Sequence, residues 1–275
     1  MTDPLAAVQG IRRRDPDEEH RASTPLELLF DLTFVVAVAR VAAEFSHAVV
    51  NDHLAHAFAA YLMVFFAIWW AWMNFTWFAS AYDCDDALYR VMSGVQMAGV
   101  LILAAGVPEA FQHKDFAVVV IGYIVMRLAM IGQWVRAGLG DPEGRATAFR
   151  YAGGIFVVQL GWTGRLGLPD SVAVLSFLVL VAAELAVPPC AERPQRTGWH
   201  PEHIAERYGL FTIIVLGESV LATSNALTQN FADGGVTIDL LLLSLGGLLL
   251  LFAMWWCSRV RSACTSCSSP WCMDD

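Results

Sequence analysis

Charged side chains are scarce in this sequence. Asp, Glu, Lys and Arg make up 16% of the 275 residues, whereas a soluble domain usually has about 25%. Apolar residues reach 57%, and the mean hydropathy is +0.52. The apolar runs are too long and too frequent for two soluble domains, although the chain is long enough to form them. The composition therefore predicts an all-α, polytopic membrane protein.

Sequence motifs of catalysis and nucleotide binding are also missing. No GxSxG, P-loop or GxGxxG pattern occurs. Ser219 follows Glu218 directly, and adjacent residues on a helix point about 100° apart, so the two do not form a catalytic dyad. No basic surface helix remains once membrane topology has accounted for the arginines, which argues against nucleic-acid binding. We therefore expect no catalytic residues, no cofactor and the lipid bilayer as the main partner.

Eight apolar segments have the length that a membrane-spanning helix needs. They cover residues 26–48, 54–79, 91–111, 116–137, 149–167, 171–189, 204–227 and 238–258. The loops between them are short, which predicts a single helical bundle over 24–258. A solvated cytoplasmic leader is expected at 1–23 and an irregular cytoplasmic tail at 259–275. No cleavable signal is visible, because the first apolar run starts late and contains two acidic residues.

Basic residues are distributed unevenly between the two sides of this predicted bundle. One side, which includes both termini, holds thirteen of the 17 Lys and Arg residues. These are Arg12, Arg13, Arg14, Arg21, Arg90, Arg136, Arg145, Arg150, Arg193, Arg196, Arg207, Arg259 and Arg261. The other side holds only Lys114 and Arg165, while Arg40 and Arg127 fall inside spans. The positive-inside rule then predicts both termini in the cytoplasm. Because no cleavable signal is visible, a bacterial plasma-membrane protein anchored by its first helix is the simplest interpretation.

The first predicted span carries acidic residues near its start. Thr24 and Glu27 have the spacing of a capping box, which makes a cap the simple interpretation of Glu27. Asp31 lies one turn further in on the same face, too deep to act as a cap. Arg40 and Glu44 follow with an i, i+4 spacing, and we interpret them as a mutually neutralised structural pair. Asp31 is therefore the stronger functional candidate.

The seventh predicted span carries His203, Arg207 and Glu218 along one helical stripe, with Glu206 one position off it. At about 1.5 Å per residue, Glu218 lies roughly 16 Å beyond Arg207, close to mid-bilayer. Ionisable groups at that depth usually face a bundle interior or an aqueous cavity. One hypothesis joins Glu218 and Asp31 in a single polar site, with the basic residues as counter-charges. The alternative is a buried structural salt-bridge network without a transport role.

Two further sets of charged residues are secondary candidates: an acidic loop with its arginine after the second span, and single charges inside the fourth and sixth spans. The residues are Asp83, Asp85, Asp86, Arg90, Arg127 and Glu184. Clustered aspartates can bind Mg²⁺ or Ca²⁺ through oxygen, but a solvated loop is the simpler interpretation, and we predict no metal site. Each single buried charge is expected to find a partner within the bundle.

Three motifs give the chain a family resemblance. They are PLELLFDLTFVVAV at 25–38, WWAWMNFTW at 69–77 with its trailing aspartates, and HIAERYGLFTIIVLGES at 203–219. In this order they are similar to the bacterial low-temperature-requirement A family, over residues 24–256. The resemblance implies a polytopic bacterial inner-membrane protein linked by name to growth in the cold. It supplies no established reaction, substrate or catalytic residues.

The end of the sequence departs from that family, whose members look longer. After Trp256 the chain turns polar and holds four of the six cysteines, at 257, 264, 267 and 272. Cys264 and Cys267 have the CxxC spacing of half a zinc site, but the second half-site has only Cys272 and no His. A frameshifted or truncated end explains the change better.

Three functions are compatible with these features. The first is a transporter or channel that moves a small solute or ion through the polar bundle interior. The second is a membrane-adaptation factor acting on lipids, which would fit a role in the cold. The third is a non-catalytic membrane scaffold or sensor. The buried carboxylates favour transport.

Overall fold

Helices dominate the computed structural model, which describes residues 11–14, 23–50, 54–233 and 238–266. The helices in these residues are α1 (Pro25–Val50), α2 (Leu54–Ala81), α3 (Ala87–Ala105), the short α4 (Val107–Gln112), α5 (Ala117–Gly140), α6 (Arg145–Arg165), α7 (Ala173–Ala191), α8 (Pro201–Asp233) and α9 (Ile238–Ser266). Seven of the eight predicted segments fall mainly on one long helix, and 91–111 is divided between α3 and α4 at Gly106. The all-α class is confirmed. The number of helices that cross a membrane stays a prediction.

The helix boundaries follow local sequence signals. At the start of α1, the Thr24 backbone N–H donates to Glu27 Oε2 at 2.8 Å, and the Glu27 N–H donates to Thr24 Oγ1 at 3.3 Å. This is the capping box that the sequence predicts. Asp86 caps α3 by accepting a hydrogen bond from the Tyr89 N–H. α9 continues to Ser266, eight residues past the predicted boundary at 258, because neither Pro nor Gly interrupts that stretch.

The chain divides into two compact units, residues up to Ile204 and residues from Ala205 onward, with the division inside α8. In the first unit, α3, α5, α6 and α7 pack in succession. α3 and α5 approach so closely that a Cβ on Gly122 would lie 2.4 Å from the Leu103 backbone nitrogen. The α5–α6 contact includes the Trp134 and Tyr151 rings, stacked with centroids 4.1 Å apart.

Large apolar side chains cover much of the outer surface of these helices. On α7, for example, Val174, Leu175, Leu178 and Val179 are each more than half exposed. Water would make such a surface unfavourable, whereas lipid would not. In the described residues, four helical stretches are long and apolar enough to cross a membrane. They are Ala57–Ala81, Ala87–Gln112, Ala117–Gly140 and Ala173–Ala191.

Part of the segment predicted as a solvated leader is docked on the first unit. Strand β1 (Arg12–Arg13) pairs antiparallel with β2 (Tyr82–Asp83) between α2 and α3. Ile11 is buried, and a Cβ on Gly140 would lie 3.1 Å from its backbone. Arg13 lies 3.3 Å from Asp141 Oδ2 and thereby reaches the α5–α6 link. This strand was not predicted from the sequence, because the polar composition of residues 1–23 indicated a solvated segment.

The second unit holds most of α8 together with α9. Between these helices lies an apolar groove of about 520 Å³, whose lining includes Gly217, Val220 and Phe252. The outward faces carry exposed leucines such as Leu242 and Leu250. This unit therefore also exposes large apolar side chains.

Candidate functional site

Four buried polar side chains from three helices form a cluster in the first unit. Glu27 is 1% exposed, and Asp31, Trp72 and His203 are fully buried. Trp72 Nε1 donates to Asp31 Oδ1 at 2.6 Å, and His203 Nε2 lies 3.5 Å from Glu27 Oε2. We call these four residues the Glu27–His203 cluster.

Packing of α1 against α2 positions the two carboxylates of this cluster. Glu27 and Asp31 are one turn apart, so both face the same neighbours. Between them Phe30 stacks on Phe75 of α2, with ring centroids 3.7 Å apart. The antiparallel run of the two helices then brings Trp72 to the level of Asp31. The site is thus held on rigid helices rather than on loops.

The start of α8 is fixed to α2, which positions His203. The His200 N–H donates to Ser80 Oγ at 2.9 Å, and both residues are buried. The His203 N–H in turn donates to His200 Nδ1 at 3.3 Å. Beside them the Trp77 and Trp199 rings stack with centroids 6.1 Å apart. These contacts bring an ionisable imidazole into a buried site against Glu27.

A buried carboxylate beside a buried imidazole has a definite chemical capacity. A carboxylate and an imidazole can each bind one proton, and each proton bound changes the net charge of the pair by one unit. Imidazole is the side chain that changes charge most readily near neutral pH. Burial in a helical bundle makes each change of charge costly, so movement of the proton and rearrangement of the neighbours are coupled. The arrangement can therefore serve as a proton-binding station.

The other candidates on α8 belong to the second unit. Glu206 is exposed, Arg207 is fully buried, and Glu218 is half-buried. The single site that would join Glu218 to Asp31 stays a prediction.

A second buried cluster surrounds Glu184 in the first unit. Arg127 Nη2 forms an ion pair with Glu184 Oε2, so the two buried charges expected inside spans are partners of each other. Trp70 Nε1 donates to the same oxygen at 2.8 Å. The other oxygen accepts from Tyr123 OH at 2.8 Å and from Trp162 Nε1 at 3.2 Å. One carboxylate on α7 is therefore paired with an arginine and accepts hydrogen bonds from three neutral donors, and these four partners come from three helices.

The acidic loop splits into separate ion pairs. Asp85 pairs with Arg90 through two 2.9 Å hydrogen bonds, and both are exposed. Asp86 is buried and pairs with Arg136 of α5. The side chain of Asp83 is outside the described residues. In the described part of the chain, no group of three His, Cys, Asp or Glu side chains is arranged to hold a metal ion.

Cys84 lies between these two ion pairs. Arg136 Nη1 is 3.4 Å from its sulfur. Burial raises the pKa of the Cys84 thiol, and the nearby Arg136 guanidinium only partly opposes this effect. The thiol is therefore protonated at neutral pH.

Sequence reasoning missed the aromatic donors of both clusters. In the sequence analysis, Trp70 and Trp72 had no role beyond a family motif, yet each donates its indole N–H to a buried carboxylate. A signal was present, because a buried indole N–H needs an acceptor and a membrane interior offers few. The identity of each acceptor depends on tertiary packing, which one sequence does not reveal.

Helices with apolar outer faces around buried ion pairs define an integral membrane protein of the helical-bundle class. The family model described as bacterial low temperature requirement A protein (LtrA) matches residues 22–258. The chain belongs to this family, and the resemblance noted from its motifs is confirmed.

One relative and the solved structures complete the comparison. An uncharacterized protein of Rhizobium meliloti (strain 1021) is 31% identical over 255 residues, which cover 89% of this chain and 59% of that protein. The chain thus spans about three fifths of the length of the curated relative that it matches. No solved structure matches the chain.

Proposed function

We propose that this protein moves a small solute or ion across the bacterial plasma membrane and couples the movement to protons at the Glu27–His203 cluster. The observation that supports this is the buried Glu27–His203 pair, 3.5 Å apart with both side chains at most 1% exposed. Ionisable residues inside a membrane bundle are costly and mark ion pathways and proton relays by default.

The neighbours of the pair fit this role. Asp31 adds a second carboxylate one turn further along α1 and is held by Trp72. Counted from Pro25, the first residue of α1, Asp31 lies about 9 Å along the helix axis, so the station is near one end of the bundle. The arginine-rich loops lie at that end. By the positive-inside rule we expect this end to face the cytoplasm.

Reconstituted protein on a solid-supported membrane tests the proposal. We expect a capacitive current after a pH step. Alkali cations, small amines and small carboxylates are then added one at a time, and a transported solute should increase that current. The Glu27→Gln variant should abolish the current, because an amide cannot exchange a proton with His203. Its folding is checked by the thermal unfolding midpoint.

The chain offers a matched control. Glu109 and His113 form a second Glu–His pair at 2.8 Å, but both side chains are exposed. Glu109→Gln should therefore leave the current unchanged. Equal currents from the native protein and Glu27→Gln would remove the cluster from the mechanism. No current under any condition, from folded protein, would overturn transport in favour of a scaffold or lipid-related role.

A further inference from the structure

Arg165, in the last turn of α6, is a half-buried arginine without an acidic partner in the described part of the chain. No carboxylate among the described residues lies within 4.0 Å of its guanidinium. Its Nη2 donates to the Ala173 backbone oxygen at 3.1 Å, whereas its Nε is buried and has no hydrogen-bond partner in the described residues. A carboxylate is the group that such a donor and its positive charge bind best.

Apolar side chains fix the position of the Arg165 guanidinium. Its Cζ lies 5.9 Å from the ring centroid of Phe116 and 5.8 Å from that of Phe177. The sulfur of Met63 lies 3.9 Å from Nη2. Aromatic ring faces attract a cation through their quadrupole but carry no net charge. The guanidinium is therefore held in place while its charge stays uncompensated by a protein anion in the described residues.

A small cavity lies beside this guanidinium, and we call it the Arg165 pocket. Its lining includes Met63 and Ala67 of α2, Val120 of α5 and Phe177 of α7. Among the described residues that line it, Arg165 is the only charged one. The pocket has a volume of about 30 Å³, which is room for about two to three groups of the size of a water molecule. An apolar cavity with one cation in its wall is complementary to a small anion with a short apolar part.

Two aromatic residues of the lining, Tyr123 and Trp162, have already used their donors. Tyr123 OH and Trp162 Nε1 both donate to Glu184 Oε1, at 2.8 and 3.2 Å. Neither side chain has a second hydrogen to give. An anionic group in the pocket therefore has its side-chain donor in Arg165, and the apolar part of the same molecule would lie against the rings.

We propose that the Arg165 pocket binds a short-chain monocarboxylate such as propionate, with the carboxylate on the Arg165 guanidinium and the alkyl chain in the apolar cavity. The volume sets the size of the ligand, because a fatty acid is too long for it. The charge of Arg165 and the apolar lining together set its chemistry. The pocket shares no residue with the Glu27–His203 cluster, so binding does not depend on the proposed proton coupling.

Equilibrium binding of radiolabelled propionate to the full chain in nanodiscs, measured by scintillation proximity, tests this proposal. We expect saturable binding, with severalfold weaker displacement by octanoate and by inorganic phosphate than by unlabelled propionate. No saturable binding to folded protein would overturn the proposal. Displacement by octanoate as strong as by propionate would indicate a fatty-acid site, and equally strong displacement by phosphate would indicate an unselective anion site. Either result would also overturn it.

A matched pair of substitutions on α6 tests the role of the arginine. Arg165→Gln should weaken propionate binding about tenfold or more, because a hydrogen bond and an ion pair to the carboxylate are lost. Arg150→Gln changes an exposed arginine of the same helix and should leave the affinity unchanged. The thermal unfolding midpoint checks the folding of both variants. Unchanged affinity in folded Arg165→Gln would contradict the proposal.

A third variant tests the cavity while Arg165 stays in place. Ala67→Val adds two methyl groups at a lining position, so it should weaken propionate binding more than acetate binding. Equal affinities of the native protein and Ala67→Val for both acids would place the ligand elsewhere and overturn the proposal. Glu27→Gln should bind propionate normally, which separates a failure of this site from a failure of the proposed transport.

Discussion

At the scale of single residues, the Trp72–Asp31 hydrogen bond gives the most direct prediction. Both groups are fully buried, and the 2.6 Å separation is short for an indole donor. Trp72→Phe removes the donor and keeps the aromatic ring. We expect a loss of about 1–3 kcal/mol of stability, since a buried charged acceptor loses a partner. The thermal unfolding midpoint in nanodiscs measures it.

The control for this change is Trp199→Phe. Trp199 is more than a third exposed, and its ring stacks on Trp77. Its indole nitrogen can therefore be satisfied by solvent, and the midpoint should move little. Equal losses from both substitutions would show that ring volume, rather than the bond to Asp31, determines the effect.

The thiol of Cys84 gives a prediction about pH. Burial raises its pKa above the ordinary value, so at any pH below that value the reactive thiolate is rarer than in a free cysteine. Alkylation of Cys84 by iodoacetamide should therefore reach half of its maximal rate at a higher pH than alkylation of an ordinary thiol, whose midpoint lies at about pH 8.5. Peptide mass spectrometry over a pH series measures the profile. A plateau below pH 8.5 would mean that Arg136, and not burial, dominates.

At the scale of helices, the Glu184 carboxylate of α7 forms hydrogen bonds or an ion pair with side chains of α2, α5 and α6. Arg127→Met should cost about 3–5 kcal/mol, because it leaves a buried charge without its counter-ion. The double variant Arg127→Met/Glu184→Met should recover much of that loss, because no charge remains buried. The four unfolding midpoints of this double-mutant cycle give the coupling. Additive losses would indicate that the two side chains stabilise the bundle separately.

How far the sequence predicts these helices depends on what fixes each feature. Apolar runs and end signals are local, so the segments and the Thr24–Glu27 cap could be predicted. Partner choice is not local: Glu184 and Arg127 were both identified, but only helix packing makes them a pair. The docking of Ile11 and Arg13 was missed because a two-residue strand has no periodicity to detect. Participation of Glu218 in a site with Asp31 remains a prediction.

At the scale of the whole molecule, topology is the property that the arginine distribution predicts. Alkaline phosphatase fused after Lys114 should be active, because that loop is predicted to face the periplasm. The same enzyme fused after Arg145 should be inactive, and green fluorescent protein there should fluoresce. Phosphatase activity is measured on whole cells, with fusion levels matched by immunoblot, and shows which side of the membrane each loop faces. Active phosphatase at both positions would contradict the predicted number of spans between them.

The docked strand β1 also constrains how the molecule is made. β1 is synthesised before both of its partners, because it pairs with Tyr82–Asp83, and Arg13 pairs with Asp141. The first partner follows two long helices in the sequence, and Asp141 follows four long helices and the short α4. β1 can therefore dock only after the helices that precede its partners have been made. Assembly of this bundle thus includes a late step, and a bulky insertion next to β1 would interfere with it.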